Sequence, residues 1–325
     1  MKVSVLVPVY GVEKYIGRCA ESLFAQTYKD IEYVFVDDCT PDRSMDVLRS
    51  VVSRHPARQA QVKVIRNAVN SGIGAVRQTL IDNATGDCLT FVDSDDYLPP
   101  RAVELMCAEM GRGGVDIVDG AWQRVTSGGL SGVNTPCHEC DDRRYLKLLL
   151  CQNIVSNRLW GRLYRRSLFT RNGVRLVPGI DYSEDYSVIT RLMFHARRSF
   201  IDDVVYYYSD ENTSSYTHTM SPKHVRSYIR ANRVVLDFFS AGDRLRRYSA
   251  PLQIGLLNVL RNVRANKFSF AEADSLLGYV PRGLLFRLVA AMLRGKCPFR
   301  LAEAAYLALR RAYVSTVAGG RSERG

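Results

Sequence analysis

The chain has 325 residues, of which 46% are apolar and 24% charged, with 45 Lys+Arg against 33 Asp+Glu for a formal net charge of +12. This excludes a disulfide-stapled mini-protein and a disordered or collagen-like chain, and it predicts a folded catalytic domain of ordinary size plus a second unit or a long extension. The charge is uneven: residues 220 to 325 hold 19 Lys+Arg against 6 Asp+Glu, so the basic excess is C-terminal and suggests a tail that meets phosphates, those of an anionic lipid surface or of nucleic acid.

The N-terminus runs from Met1-Lys2 straight into VSVLVPV, too short for a signal-peptide core, and no run of about 18 uncharged apolar residues follows. The expectation is a cytoplasmic protein that is neither secreted nor membrane-spanning. Val3 to Val9 is an apolar, β-branched run, the pattern of a strand buried on both faces of a parallel sheet. From Glu13 to Gln26 apolar residues recur at helical spacing, and Ile31 to Val36 reads as a second strand ending in Asp37-Asp38. Thr40-Pro41 predicts the cap and first residue of a helix through about His55; Val62 to Ile65 is a third strand. A helix over Gly72 to Asn83, closed by Gly86, leads to a fourth strand, Cys88 to Val92, which ends in Asp93-Ser94-Asp95-Asp96 before a helix opened by Pro99-Pro100. Val115 to Val118 is a fifth strand and Tyr206 to Tyr208 an edge strand. Strands alternating with helices mean βαβ units and a mostly parallel sheet, which binds ligands beyond the carboxyl ends of its strands.

Beyond about residue 219 the pattern turns helical. Ser221-Pro222 opens one helix that Gly242 stops, and Ser269-Phe-Ala-Glu272 is a capping-box pattern opening another. Pro281 to Lys296 is apolar with basic residues spaced through it, as suits an anionic bilayer surface or a helix packed with snorkelling arginines. Eight scattered cysteines fit reduced thiols, and Cys137-x-x-Cys140 without a second pair is weak evidence for zinc against ordinary loop cysteines.

Three carboxylates in the four residues Asp93 to Asp96 are costly at a strand end unless something positive sits among them. Asp93 and Asp95 suit a hard cation, Mg²⁺ or Mn²⁺, that keeps positions open for phosphate oxygens; the alternative is an acidic turn capping a helix. VSVLVPVYGVEKYIGRCAESLFAQTYKDIEYVFVDDCTPDRS (3 to 44), NSGIGAVRQTLIDNATGDCLTFVDSDD (70 to 96) and SEDYSVITRLMF (183 to 194) together resemble the nucleotide-sugar-dependent family 2 glycosyltransferases with a GT-A-like fold. The resemblance covers roughly residues 1 to 215. It implies a GT-A-like catalytic domain over 1–219, donor-binding over about 1–120 and acceptor-facing over about 121–219, followed by a basic helical extension over 220–325.

Carried over position by position, the resemblance lays Pro8, Val9 and Tyr10 against the donor's base and ribose, and has Asp38 hydrogen-bond the base, normally uracil. A helix N-cap is the alternative for Asp38. Arg77 matches an arginine that reaches toward the diphosphate, although Gln78 stands where asparagine is usual. Asp93, Ser94 and Asp95 match the D-x-D segment that holds donor and metal, and Asp185 of Glu184-Asp185 matches the catalytic base. Trp160 and Glu184 are the acceptor-side candidates, Trp160 equally suited to a partly buried core position. The implied activity is inverting transfer of one sugar per encounter from a UDP-sugar to a saccharide hydroxyl. The acceptor is expected to be lipid-linked, the setting cell-surface polysaccharide synthesis, and the location peripheral on the inner membrane face. No nucleic-acid partner is expected.

Other classes fit less well. A sugar-1-phosphate nucleotidyltransferase would begin with a Gly-rich loop after the first strand, and PVYGVEK is no such loop. A dinucleotide fingerprint, a P-loop and a G-x-S-x-G elbow are absent, as is the Q-x-x-R-W signature of processive synthases. A non-catalytic basic binding module, its acidic clusters merely capping helices, is the remaining alternative.

Overall fold

In the computed structural model, which describes residues 1–138, 141–212, 221–278 and 283–319, the apolar runs become strands as their burial requires. Strands β1 (Val3–Val9), β2 (Ile31–Asp37), β3 (Val62–Arg66) and β4 (Cys88–Phe91) pair in parallel in the order β3-β2-β1-β4. The chain therefore adds strands on one side of β1 and then crosses to the other, which makes the carboxyl ends of β1 and β4 the switch point where such sheets bind ligands. The sheet continues through β5 (Ile117–Thr126), β6 (Gly129–Asn134) and β7 (Arg162–Arg165) in the order β4-β7-β5-β6, with antiparallel pairings, and β8 (Arg198–Ser209) runs parallel to β5. The expected mostly parallel sheet is present, with its parallel half carrying β1 to β4. The β5–β6 hairpin is an addition, turning at Ser127-Gly128.

Several helices start later than their spacing predicts. The first spans Ile16–Phe24, because the Glu13 backbone N–H is bonded to Asp42 and the Glu13 carboxylate to Arg43 N, which keeps residues 11–14 in a loop. Its Ile16, Cys19, Ala20 and Leu23 form one buried stripe at i, i+3, i+4, i+7. The second spans Ser44–Arg54 rather than opening at Thr40, whose hydroxyl instead serves Gly11 N and Asp42. The helix expected at Pro99-Pro100 runs over Ala102–Gly111. Ser269 accepts a bond from Ala271 N but is not the cap of the expected helix, which is only one turn, Ala271–Asp274, followed by a 3₁₀ turn.

Beneath β1, β2 and β4, Glu32 gathers Lys2 Nζ (2.7 Å), Thr85 N (2.6 Å), Gly86 N (3.2 Å) and the hydroxyls of Ser4 and Thr85. Gly86 is required there: a Cβ would lie 2.7 Å from Ser4 N. Burial would raise the Glu32 carboxyl, but its bonds from Lys2, Ser4 and Thr85 outweigh burial and hold it down at about 2. A depressed acid contributes stability that is present above its unfolded value of about 4.3 and lost as pH falls through that value toward the folded one. Glu32→Gln is expected to cost about 2 kcal/mol at neutral pH and to flatten the acid limb of stability below about pH 5. Thermal midpoints measured from neutral to acidic pH check this, and parallel wild-type and variant curves would contradict it.

By packing, the chain forms two units: residues 1–136, 158–179 and 195–218, and residues 137–157, 180–194 and 219–325. The expected division at 219/220 thus differs in composition, since 137–157 and 180–194 group with the C-terminal helices. In the second unit, Ser221 and Pro222 open helix Pro222–Ser240 with a complete capping box to His224. Helices Asp142–Leu150, Arg244–Ala265, Leu284–Arg294 and Phe299–Gly319 belong to the same unit. Gln152 holds it together: its Nε2 donates to Asn232 Oδ1 (2.7 Å), its Oε1 accepts from Asn258 Nδ2 (3.0 Å) and from the Tyr228 hydroxyl, and Tyr306 donates to Asn258 Oδ1 (3.2 Å). The C-terminal helices are therefore joined to the turn at 151–153 by a buried polar network, which is high-stakes because each member left unpaired would be costly. No helix among the described residues is long and apolar enough to cross a membrane. Of the weak zinc candidates, Cys140 lies outside the described residues, and no group of three or more metal-ligating side chains occurs among those described.

Candidate functional site

The site of the first unit is built on loops leaving β1, β2 and β4. The first two are tied by bonds from Gly11 N to Thr40 Oγ1 (2.9 Å), Val12 N to Ser44 Oγ (3.0 Å), Glu13 N to Asp42 Oδ2 (2.9 Å) and Arg43 N to Glu13 Oε2 (3.0 Å). At their base Val9 is buried and its carbonyl accepts from Asp38 N (3.0 Å). Pro8 precedes it at intermediate burial, and Tyr10 stands 50% exposed, an aromatic face offered at the strand end. Asp37 turns inward, accepting from Thr40 N (2.8 Å) and facing Arg66 (3.4 Å), while Cys39 takes a left-handed φ of 57° to make the corner.

Asp38 is only 4% exposed. Its Oδ1 accepts from Asn67 Nδ2 (2.8 Å), Ser71 N (2.9 Å) and Ser71 Oγ (2.7 Å), and its Oδ2 from Gly72 N (3.0 Å). It does not cap the helix that follows β2; instead it holds the loop after β3. Burial alone would raise its pKa, but these bonds outweigh burial and keep the carboxyl below the ordinary range, so it is anionic at neutral pH. Gly72, at φ 83°, then starts helix Ile73–Asn83 in a conformation that favours glycine. One turn on, Arg77 is 4% exposed and its Nη2 reaches Asp93 Oδ1 at 2.8 Å, so it is no solvated surface arginine. Gln78 points elsewhere, its Oε1 accepting from Leu176 N (2.8 Å).

Asp93 to Asp96 leave β4 with each carboxylate in a different setting. Asp93 faces Arg77, and its backbone N–H donates to the Tyr206 hydroxyl (3.1 Å), which in turn donates to Asp96 Oδ2 (2.7 Å). Asp96 is 1% exposed and also accepts from Ser209 N (2.7 Å), which makes it the buried anchor of the turn. Ser94 is buried. Asp95 is half-buried and accepts from Asn212 Nδ2 (2.9 Å), while Arg18, stacked on Tyr97 at 4.7 Å, reaches the Asp95 carbonyl (3.5 Å) and Ser209 Oγ (2.9 Å). Burial and then the Asp93 charge raise the Asp95 carboxyl; burial, Asp95 and Asp93 push Asp96 well above the usual range. The cluster is therefore short of positive charge, and its hard oxygen donors fit a Mg²⁺ or Mn²⁺ ion that takes its remaining ligands from phosphate and water.

The structure thus places Pro8 and Val9 at the end of β1, Tyr10, Asp38, Asp93, Ser94 and Asp95 on the loops that follow β1, β2 and β4, and Arg77 in the first turns of the helix after β3, all in one unit. Trp160 belongs to the same unit but is engaged in packing: it stacks on Tyr206 (4.4 Å) and Tyr208 (5.6 Å), meets Trp122 edge-on (5.2 Å), and has the Arg158 guanidinium 5.0 Å from its centre. Glu184 and Asp185 open helix Glu184–His195 in the second unit, directly after Ser183, whose φ of 62° is left-handed. Sequence reasoning missed Asn67, Ser71, Tyr206 and Asn212, and counted Asp96 as one acid of its cluster without its anchoring role. The Asn-Ser-Gly run before a helix and the last acid of DSDD were the available signals.

The family profile described as Glycosyl transferase family 2 matches residues 4–173, just over half of the chain and short of Glu184-Asp185. The uncharacterized glycosyltransferase EpsJ of Bacillus subtilis is 31% identical over 234 residues, covering 66% of this chain and 62% of that protein, so this chain spans less than two thirds of that relative. Poly(ribitol-phosphate) beta-N-acetylglucosaminyltransferase TarS of Staphylococcus aureus is 27% identical over 213 residues, covering 64% of this chain and 35% of TarS. A structure of S. aureus TarS with UDP-GlcNAc superposes with a TM-score of 0.69 at 21% identity, covering 100% of this chain and 93% of that one. The mannosyltransferase PcManGT of Pyrobaculum calidifontis, solved with GDP-Man and Mn2+, reaches a TM-score of 0.54 at 17% identity over 97% of this chain and 87% of its own. At these identities the structural likeness speaks for the fold, which is the expected GT-A-like one.

Proposed function

The chain belongs to glycosyl transferase family 2, and on that premise we propose that it is an inverting, metal-dependent, non-processive transferase that moves a sugar from a UDP-sugar to a hydroxyl of a lipid-linked saccharide. The setting would be cell-surface polysaccharide synthesis on the cytoplasmic side of the membrane. One observation carries the reading: a buried, anionic Asp38, the Arg77–Asp93 pair and the electropositive-poor Asp95 share one rim at the switch point of the sheet. Of the proteins named above, TarS supports a uridine diphosphate donor, since it was solved with UDP-GlcNAc, whereas PcManGT was solved with GDP-Man.

In this proposal Tyr10 lies on the base, Pro8 and Val9 wall the ribose, and Asp38 accepts from the base through Oδ2, the oxygen with the single backbone bond. Arg77 steadies Asp93 and the diphosphate. Asp95 and Asp93 would hold Mg²⁺ or Mn²⁺, which when bound supplies positive charge to offset that of the departing diphosphate. Asp185 accepts the proton of the acceptor hydroxyl as its oxygen attacks the anomeric carbon; the carbon–oxygen bond to UDP breaks, UDP leaves with the electron pair, and the centre inverts. Glu184 and Trp160 are assigned to the acceptor side through the family resemblance alone.

The test is a panel of UDP-sugars assayed for UDP release with Mn²⁺ or Mg²⁺ present, run beside thermal midpoints with UDP plus Mn²⁺. Release from one sugar and a raised midpoint are expected. No release from any sugar and an unmoved midpoint would overturn the reading.

A further inference from the structure

Helix Leu284–Arg294 is apolar on two sides. Phe286, Val289, Ala290 and Leu293 are buried, and the helix packs on Arg244–Ala265 and Phe299–Gly319 of the same unit. The opposite stripe carries Leu284, Leu285 and Leu288, which are 76%, 57% and 54% exposed, followed at the same spacing by exposed Ala291. Leu301, 59% exposed, begins the next helix. A helix apolar on two faces is normally covered on both, so this stripe needs an occupant.

The surrounding charge identifies it. The helix has no acid, and Arg287, Arg294, Lys296 and Arg300 are all exposed along it and the following turn. Two acids of neighbouring elements are already paired, Asp274 with Arg294 at 2.6 Å and Glu303 with Arg261 at 2.5 Å. A second copy seated symmetrically on this stripe would bring the same cations face to face, which opposes self-association. A bilayer with anionic headgroups satisfies both features, taking up the leucines at the level of the acyl boundary and the cations among the phosphates.

We propose that the stripe Leu284, Leu285 and Leu288, rimmed by Arg287, Lys296 and Arg300, docks this chain on an anionic bilayer surface. The inference does not depend on the donor reading, and its test uses no sugar nucleotide. The full chain is floated with phosphatidylcholine vesicles containing phosphatidylglycerol and, separately, with phosphatidylcholine alone. Flotation with the anionic vesicles only is expected. Leu285→Ser with Leu288→Ser should lower vesicle partitioning about tenfold or more, and Arg287→Glu with Lys296→Glu about twentyfold or more. Both pairs are exposed, so thermal midpoints should hold; if the serine pair fails to fold, the charge pair still decides. Failure of the wild type to float, or variants that float equally well, would overturn the proposal. So would light scattering that shows a dimer dissolved by the serine pair in a chain that does not float.

Discussion

Replacing Asp185 with asparagine is expected to lower kcat by about 10²- to 10⁴-fold while leaving donor binding in place. The acceptor hydroxyl is a weak acid that must shed its proton during attack, and an amide cannot take it. The alternative is that Glu184 and Asp185 merely favour the start of the helix they open, as acids in a first turn do. That role predicts a different pattern: a loss of stability of a few tenths to about 1 kcal/mol and a small change in rate. Ser183, left-handed at φ 62°, fixes the path of the chain just before the pair, and non-glycine residues held there commonly mark sites where a side chain must be aimed. Turnover and the midpoint shift by UDP plus Mn²⁺ should be measured on the same preparation. A kcat within about threefold of wild type would remove Asp185 from the base role.

What was readable beforehand depended on how local its cause was. β1, β2 and β4 were legible because strands buried on both faces leave continuous apolar runs, and the Asp93 to Asp96 cluster was legible because its cost is evident from four adjacent residues. Asp38 could be singled out, but not its partners: Asn67, Ser71 and Gly72 lie 29 to 34 residues away and meet it only once β3 is laid beside β2. The Asp96–Tyr206 bond spans 110 residues and depends on where β8 falls in the sheet. Arg77 could be singled out through the resemblance, but not its partner, since helical spacing does not reveal that a carboxylate from another loop waits at its end. The grouping of 137–157 and 180–194 with the C-terminal helices likewise rests on packing around Gln152, a residue with no local signature.

Asp95→Asn should abolish the stabilisation by UDP plus Mn²⁺ yet leave the ligand-free protein at least as stable as wild type. The sign follows from the raised Asp95 carboxyl, whose causes are burial first and then the neighbouring Asp93 charge. An acid whose folded value is raised penalises the fold once pH exceeds that value, so at neutral pH removing the charge relieves repulsion rather than breaking a support. Asn212, the Asp95 partner at 2.9 Å, can turn its amide to meet the new one, so little is lost there. For the wild type, ligand at a hundredfold its Kd adds about 2.7 kcal/mol, a shift of several degrees that the variant should lack, and transfer should fall with it. The cluster would then be a place where stability is given up for function: carboxylates kept close at a cost so that a cation and a diphosphate are held when they arrive. A variant whose ligand-free midpoint drops by several degrees while the UDP and Mn²⁺ shift persists would mean instead that Asp95 braces the turn.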